Sequence, residues 1–376
     1  MTGSHQNQSK HKRGSIIVLV LVFVVLLTFI VVAFLEEATA KIKYYGLFHN
    51  RDDLRTDAYS AMEITLAVLN QYIEVEGALW GPQQGWDNPL DEAGFVPAHA
   101  NSVTITFEDE SAKLPLSELG YDDLLTLFDV MGYDLPDAQS LADGILDWSD
   151  EDDLRRLNGF DGEDYDDMDP PYRPSNSQII SWDEFRLIRP LNETFWDETG
   201  RPTPAWSTFK SAVSLYHTGP VNVNQANSTV QEYLYEKGAL DTTAFAYFKD
   251  GSDGIPGTED DRLYRKGQGN DSLILAEGAE VSDSIQLLRV KVEANRGEAR
   301  FSLEALVTWA GSNPAAGDAS ENNNQETPGT TVQESQPDSA KERRQQARGE
   351  TKTAPDTVAK LGYPFRFVRL SENRKF

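Results

Sequence analysis

The chain has 376 residues, of which 61 are acidic and 34 basic, so its formal net charge is −27 at pH 7. A surface this acidic repels nucleic acid and anionic lipid headgroups, and it suits divalent cations or basic partners. The chain has no cysteine, which excludes a disulfide framework and a thiolate metal site. Its length allows about two domains beyond an anchor.

A basic cluster followed by a long apolar run opens the chain. Residues 10–13 read KHKR, Gly14 follows, residues 15–35 are almost entirely apolar, and Glu36 and Glu37 close the run. About 20 apolar residues at about 1.5 Å each span the hydrocarbon core of a bilayer. Positive charge on the N-terminal side holds that end in the cytoplasm. We therefore expect a single-pass membrane protein whose N-terminus is cytoplasmic and whose body lies on the other side of the membrane.

The junction between Gly14 and Ser15 allows two interpretations of this segment. A secretory signal has an apolar stretch of about 7–15 residues with a small-residue cleavage site after it. Here the run is longer, and the small-residue junction with a sharp charge boundary precedes it. The segment is either a simple signal anchor or a prepilin-type leader, cut after Gly14 so that the apolar helix remains as an assembly stem.

The helix is predicted to continue beyond the membrane. Residues 36–76 contain no proline. Apolar residues recur there at three- and four-residue spacing, which is typical of an amphipathic helix: they are Tyr59, Met62, Leu66, Leu69 and Ile73. Gly77 is a plausible stop. The pattern predicts one long helix whose second half packs on a globular domain.

Alternating residues predict an antiparallel sheet. Residues 103–107 alternate apolar and polar side chains, as do residues 288–294 and 299–307 near the C-terminus. Residues 295–297 (NRG) supply the turn of a β-hairpin. A last apolar segment at 363–370 predicts a terminal strand that returns to the sheet. Residues 311–360 contain no aromatic residue, so they cannot offset their ordering entropy and are predicted to be disordered.

Short helix-like segments dominate the middle of the chain and predict a helical insertion. The candidates are residues 121–131, 139–148, 182–188, 205–216 and 229–236. The predicted organisation is a leader at 1–14, a transmembrane and stem helix at 15–77, the first part of the sheet domain at 78–117, the helical insertion at 118–240, an acidic Gly-rich loop region at 241–283, the sheet hairpin at 284–310, the disordered loop at 311–360 and a C-terminal strand at 361–376.

Two stretches dense in carboxylates are candidate Ca²⁺ sites. The candidate ligands are Asp150, Asp152, Asp161, Glu163 and Asp164 in the first stretch, and Asp250, Asp253, Glu259, Asp260 and Asp261 in the second. Carboxylates this close repel one another unless a cation neutralises them, and Ca²⁺ takes six to eight oxygen ligands from flexible loops. Glycines in the second stretch let the backbone curl, although the spacing does not match an EF-hand. The alternative is a pair of solvated acidic loops.

Signals for catalysis are weak. The histidines of the body are isolated, and neither a G-x-S-x-G elbow nor an H-E-x-x-H helix occurs. The many carboxylates leave a glycosidase-type pair open, and no pair stands out. Residues 221–240 are similar to a helix–hairpin–helix nucleic-acid module, but the surrounding acidity argues against nucleic acid as a partner.

Three further motifs carry a family resemblance. They are LADGILDWSDEDD at 141–153, PPYRPSNSQIISWDEFRLIRPL at 170–191 and VNVNQAN at 221–227. Together with the basic leader and the apolar stem, they resemble the minor pseudopilin K family of type II secretion systems over residues 10–308. Position five of the predicted mature chain is Leu19, and this family resembles pilins but lacks the glutamate that major pilins carry there.

The resemblance implies an α+β fold and a structural function. The fold would be a pilin-like long N-terminal helix packed on an antiparallel sheet, with a large SAM-like or helix–hairpin–helix-like helical insertion that binds calcium. The function would be that of a non-enzymatic minor pseudopilin at the pseudopilus tip, which helps to initiate assembly and protein export. Its partners would be other minor pseudopilins, met through the N-terminal helix, the prepilin peptidase and the inner-membrane secretion platform. A type IV pilus minor pilin and a membrane-anchored extracytoplasmic hydrolase remain the alternatives.

Overall fold

The computed structural model describes residues 13–152, 154–160, 162–255, 258, 260–309 and 365–373, with the backbone alone for 13–16, 40 and 42–50. The helices in this part of the chain are α1 Arg13–Glu76, α2 Pro89–Glu92, α3 Tyr121–Val130, α4 Leu135–Ser149, α5 Gly162–Asp166, α6 Arg189–Phe195, α7 Pro204–Ala212, α8 Ser228–Glu236, α9 Thr242–Lys249 and α10 Asp271–Ile274. The strands are β1 Ser102–Asp109, β2 Leu114–Pro115, β3 Val213–Ser214, β4 Val221–Asn222, β5 Val281–Ser282, β6 Leu288–Arg296, β7 Ala299–Trp309 and β8 Phe365–Glu372. The loop predicted to be disordered, 311–360, lies outside the described residues.

Helix α1 is unbroken over 64 residues. At about 1.5 Å per residue it is about 96 Å long. Its segment Ile17–Thr39 has a mean hydropathy of 3.5 and is not buried anywhere within the protein, so by length and composition it satisfies the requirements of a membrane span. The helix ends before Gly77, whose N–H donates to the Ile73 carbonyl at 2.9 Å and whose φ is 89°. That left-handed conformation favours glycine, and the predicted stop is confirmed.

The second half of α1 packs on a four-stranded antiparallel sheet of order β1-β6-β7-β8. Alternate side chains of β6 and β7 point toward the helix because successive residues of a strand face opposite sides. The buried residues of this core include Leu54, Ala58, Ala61, Met62 and Leu69 of α1, Val290 and Val292 of β6, and Leu303, Ala305 and Val307 of β7. The predicted hairpin and the terminal strand are confirmed, and together with α1 they give the expected α+β fold.

A buried carboxylate fixes the loop before β1 onto the stem. Asp57 lies on α1, is 3% exposed, and accepts hydrogen bonds from the backbone N–H groups of Ala98, His99 and Ala100 at 3.1, 2.7 and 2.6 Å. These bonds satisfy three N–H groups that no strand partner reaches. The loop is therefore held in place by one side chain from the stem helix.

The helical region comprises α3–α10 with β2–β5 and has its own core. Several helices begin at a capping side chain: Asp134 accepts the Asp137 N–H before α4, Asn227 that of Val230 before α8, and Asp241 that of Ala244 before α9. Phe128, Phe195 and Phe209 form part of a buried aromatic cluster, with Phe195 and Phe209 ring centroids 5.2 Å apart. The predicted insertion of helices is thus confirmed as a packed region.

Two of the predicted helices are corrected by the structure. In place of a helix at 182–188, a 3₁₀ turn spans Glu184–Arg186 and α6 begins at Arg189. Pro190, in the first turn of α6, lacks an N–H and so suits a helix start and not a helix interior. The helix predicted at 205–216 ends at Ala212, because β3 follows and pairs in parallel with β2.

Candidate functional site

Two aspartates of α4 organise the first acidic stretch. Asp143 and Asp147 are four residues apart and therefore share one face of the helix, and each is 3% exposed. Asp147 accepts from Arg156 twice, from its Nη1 at 2.6 Å and its backbone N–H at 3.1 Å. Asp143 accepts the backbone N–H of Asn158 at 3.1 Å. The two carboxylates thus hold the loop after α4 against the helix. Burial raises the pKa of Asp147, and the Arg156 guanidinium opposes that rise.

Gly159 packs directly against the Asp147 carboxylate. A methyl group on its Cα would stand 1.8 Å from Asp147 Oδ2, which is far inside van der Waals contact. The close approach of backbone to carboxylate therefore requires glycine at this position. In contrast, Gly162, at the start of α5, has open space where a Cβ would lie.

Three of the five predicted calcium ligands of the first stretch are paired with arginines or with the backbone. Asp150 contacts Arg156 at 2.5 Å, and Asp164 contacts Arg155 at 3.3 Å. Asp152 accepts the Leu154 N–H at 2.9 Å, and Glu163 is exposed in the first turn of α5. Asp161 lies outside the described residues. The structure brings Asp147 and Asp150 together on one arginine, Arg156.

Asp260 organises the second acidic stretch. It accepts hydrogen bonds from the N–H and hydroxyl of Ser252 at 2.6 and 2.7 Å and from the Thr258 hydroxyl at 2.8 Å. These donors hold the pKa of Asp260 well below its ordinary value. Gly251, with φ of 67°, passes so close that a Cβ would stand 2.5 Å from the Asp260 carbonyl oxygen. The loop is therefore closed around one carboxylate.

The other predicted ligands of the second stretch surround Asp260 without converging. Asp253 accepts the Ile255 N–H at 2.9 Å, Asp250 follows the last turn of α9, and the Asp261 N–H donates to the Thr258 carbonyl at 3.3 Å. Glu259 lies outside the described residues. Within the described ranges, no three Asp, Glu or His side chains are grouped so that they could hold a metal ion. As arranged, these carboxylates do not fit a Ca²⁺ shell, and calcium binding stays a prediction from the sequence.

A buried charge network joins the sheet to the helical region. Glu110 follows β1, is fully buried, and accepts from Arg289 Nη2 of β6 at 2.6 Å, from Lys113 Nζ at 3.2 Å and from the Ser214 hydroxyl of β3 at 2.5 Å. Burial by itself would raise the pKa of Glu110, but the charges of Lys113 and Arg289 outweigh it and lower the pKa. Sequence reasoning missed this residue, because its partners lie up to 179 positions away.

The Val-Asn-Val-Asn motif provides a second polar connection. Asn222 donates to Asp109 at 2.7 Å, which links β4 to the end of β1. Asn224 donates to the Tyr264 and Asp283 carbonyls at 2.8 and 2.6 Å and accepts the Tyr264 N–H at 2.8 Å. Both asparagines are buried. Asn222 therefore connects the helical region to the sheet, and Asn224 connects separate segments of the helical region to one another.

Comparison with known proteins agrees with the sequence motifs. A family model described as type II secretion system (T2SS), protein K, matches residues 108–199. Type II secretion system protein K of Aeromonas hydrophila is 28% identical over 148 residues, which cover 38% of this chain and 43% of that protein. The chain therefore matches less than half the length of this relative. A chain in the GspK-GspI-GspJ complex from the enterotoxigenic Escherichia coli type 2 secretion system aligns with a TM-score of 0.45 and 14% identity, covering 72% of this chain and 93% of its own length.

The matched segment contains the features described above. It begins just before Glu110 and includes the Asp143–Asp147 pair, Arg156 and Gly159. The resemblance expected from the motifs at 141–153 and 170–191 is confirmed by this match. Through residues 108–199, the chain is similar to the type II secretion system protein K family.

Proposed function

We propose that this protein is a minor pseudopilin at the tip of the type II secretion pseudopilus, where it helps to initiate assembly and protein export across the outer membrane. The observation that carries the proposal is the division of α1 into two halves. Side chains such as Leu21, Phe23 and Leu27 are 60–64% exposed, whereas Leu54 and Leu69 in the same helix are fully buried against the sheet. A helix of this kind is a stem that joins a folded body to other apolar helices or to lipid.

The exposed half needs a nonpolar surrounding. Its large apolar side chains would otherwise contact water at a cost of roughly 25 cal/mol per Å². We propose that the helix is inserted in the inner membrane before assembly, with the body in the periplasm, and that it packs beside the stems of other minor pseudopilins afterwards. The GspK-GspI-GspJ complex is a precedent for partners of this type. The inner-membrane secretion platform is the second proposed partner.

Processing and position in the pseudopilus follow from the N-terminus. We propose that the prepilin peptidase cuts between Gly14 and Ser15, leaving Leu19 at position five. A carboxylate buried in an apolar filament core without a partner is costly. A subunit at the tip has no subunit above it and hence no amine to pair with such an acid, so the leucine suits that place. The family match favours this function over a type IV pilus minor pilin or a membrane-anchored hydrolase.

A charge in the middle of the apolar half tests the stem. Val24→Arg places a guanidinium at mid-bilayer, at about 2.5–3.5 kcal/mol. In a host that depends on this chain for secretion, we expect the variant to lose secretion and the co-purification of other minor pseudopilins, whereas Val24→Leu retains both. Normal secretion with Val24→Arg would contradict the stem function.

A further inference from the structure

A groove lined by tryptophans lies between the helical region and the sheet. It has a volume of about 860 Å³ and is lined by Trp182, Arg186, Trp206, Lys210, Tyr216 and Arg369, together with the buried Trp196 and smaller residues. These six residues define the tryptophan groove. Arg369 comes from β8 and Lys210 from α7, so both parts of the body contribute. The volume lies within the roughly 300–1,000 Å³ of ligand pockets in proteins.

The aromatic side chains of the groove are held in fixed positions. The Trp206 ring lies 4.7 Å from that of Trp196 and 5.6 Å from that of Trp182, edge to face in the second case. The guanidinium carbon of Arg369 lies 5.6 Å from the centroid of the Tyr216 ring. The Tyr216 hydroxyl also accepts a hydrogen bond from Arg369 Nη1 at 2.6 Å. Trp182, Trp206 and Tyr216 are each only partly buried. The groove therefore presents rigid aromatic surface to solvent.

Two arginines of the groove lack an acidic partner. Arg186 lies over the Trp196 ring at 5.1 Å and donates to the Gly200 carbonyl at 3.1 Å. Arg369 contacts Tyr216. Among the described residues, neither guanidinium forms a salt bridge, although acidic residues outnumber basic ones by 61 to 34 in the chain. The lining contains the carboxylate of Asp183 and three basic side chains, so its formal charge is positive in a strongly acidic protein.

The adjoining cavity has the opposite character. Its volume is about 910 Å³, and it shares Trp182 and Lys210 with the tryptophan groove, so the two spaces are adjacent. Its other cations are already neutralised by carboxylates on the same lining. Lys113 pairs with Glu108 and Glu110, Arg289 with Glu110 and Glu304, and Lys291 and Arg300 with Glu293. Of these two spaces, the tryptophan groove is therefore the one whose arginines, Arg186 and Arg369, form no salt bridge with any described residue.

We propose that the tryptophan groove binds an extended peptide segment bearing carboxylates, supplied by another protein. A guanidinium presents a planar fork that holds a carboxylate by two parallel hydrogen bonds. Trp, Tyr and Arg are the side chains on which protein interfaces depend most. The adjoining cavity, which shares Trp182 and Lys210 with the groove, gives further surface for an extended chain. This proposal does not depend on the function in secretion, because binding is measured on the isolated protein.

A matched pair of peptides tests the proposal with the full-length protein in detergent micelles. The probes are a fluorescein-labelled octapeptide of alternating glutamate and phenylalanine and the same peptide with glutamine for glutamate. Fluorescence anisotropy should show that the acidic peptide binds at least about tenfold more tightly, a factor worth about 1.4 kcal/mol. Equal binding of the two peptides, or no binding of the acidic one at about 1 mM, would overturn the proposal.

Substitutions then locate the binding. The double variant Arg186→Gln with Arg369→Gln should weaken binding of the acidic peptide by about tenfold or more, since charged hydrogen bonds contribute about 1.5–3 kcal/mol each. The control is Arg262→Gln, an exposed arginine that lines a different cavity. An equal loss in the control would assign the binding to general charge and overturn the proposal. A second result would also overturn the proposal: the wild type binds vesicles of anionic lipid, the double variant does not, and the acidic peptide binds neither protein.

Discussion

The stem with its sheet and the helical region are stabilised in different ways. In the first, apolar side chains from α1, β6 and β7 meet across one interface, and Asp57 is a buried carboxylate within it. In the second, buried acids and amides, namely Asp143, Asp147, Asn222 and Asn224, fix loops to helices and strands. The comparison teaches that the segment matching the secretion family, residues 108–199, lies mostly in the region whose geometry depends on specific polar contacts. Changing a single polar side chain in that region should therefore have a large effect on stability.

The largest expected effect on stability lies where the two regions meet. Replacing Glu110 by Gln removes the fully buried one among the negative partners of Arg289 and Lys113, which costs up to about 3–5 kcal/mol for a buried pair. Chemical denaturation of the full chain should show this loss at pH 7, and Glu298→Gln at the exposed hairpin turn should show almost none. A variant as stable as the wild type would mean that the network does not join the regions.

The pH dependence of the same variant sharpens the comparison. Because the pKa of Glu110 in the folded state is below its ordinary value of 4.5, its ion pairs stabilise the fold fully above pH 4.5. Their contribution is lost as the pH falls below that value and through the folded-state pKa. The difference in unfolding free energy between wild type and Glu110→Gln should therefore shrink as the pH is lowered below 4.5. A difference that stays constant would place the effect outside the charge of Glu110.

Calcium should have a smaller effect, confined to the helical region. An ion that binds only the folded state stabilises it by about 2.7 kcal/mol at 100-fold excess over Kd. The sequence-based prediction is that the full chain melts several degrees lower in chelator than in calcium. Alanine at Asp253 and Asp260 should reduce that difference. To bind the ion, both carboxylates must exchange their hydrogen bonds to the loop for metal contacts. Identical melting with calcium and chelator would identify both stretches as solvated acidic loops.

Adding a single methyl group at Gly159 should change the stability by an amount similar to or smaller than the effect of calcium. Gly159→Ala forces the loop away from Asp147 and should destabilise the protein by about 1–3 kcal/mol, the range for overpacked sites. The control is Gly162→Ala, where the space is open and alanine is a better helix former than glycine. We expect thermal melting to separate the two variants. Equal melting temperatures would show that the loop beside Asp147 makes room for the methyl group without loss of stability.

Local patterns were sufficient to predict the sheet and the stem. The alternation at 288–294 and 299–307 specifies a hairpin because side chains face opposite sides at period two. The helix stop at Gly77 follows from one residue type. Contacts between distant residues left no such pattern: the Glu110 carboxylate meets Ser214 and Arg289 at separations of 104 and 179 residues.

The candidate site was less predictable than the fold for a related reason. Composition marks a stretch as acidic, but it does not distinguish Asp147, which is buried on an arginine, from Asp152, which is exposed beside a backbone N–H. The helix expected at 182–188 was wrong because its apolar spacing ignored the effect of Pro190 on where a helix starts. The tryptophan groove was likewise not predictable, because it forms only where the distant residues 186 and 369 line one space.

N-terminal sequencing of the protein purified from membranes tests the pseudopilin account most directly. The account predicts a mature chain that begins at Ser15, because only a prepilin-type leader is removed in front of the apolar helix and leaves the stem intact. The matched control is Gly14→Leu, which should remain uncut and keep Met1. A wild-type chain that begins at Met1 would show a simple signal anchor, and one cut beyond residue 35 would show a secretory signal. Either result would contradict the account.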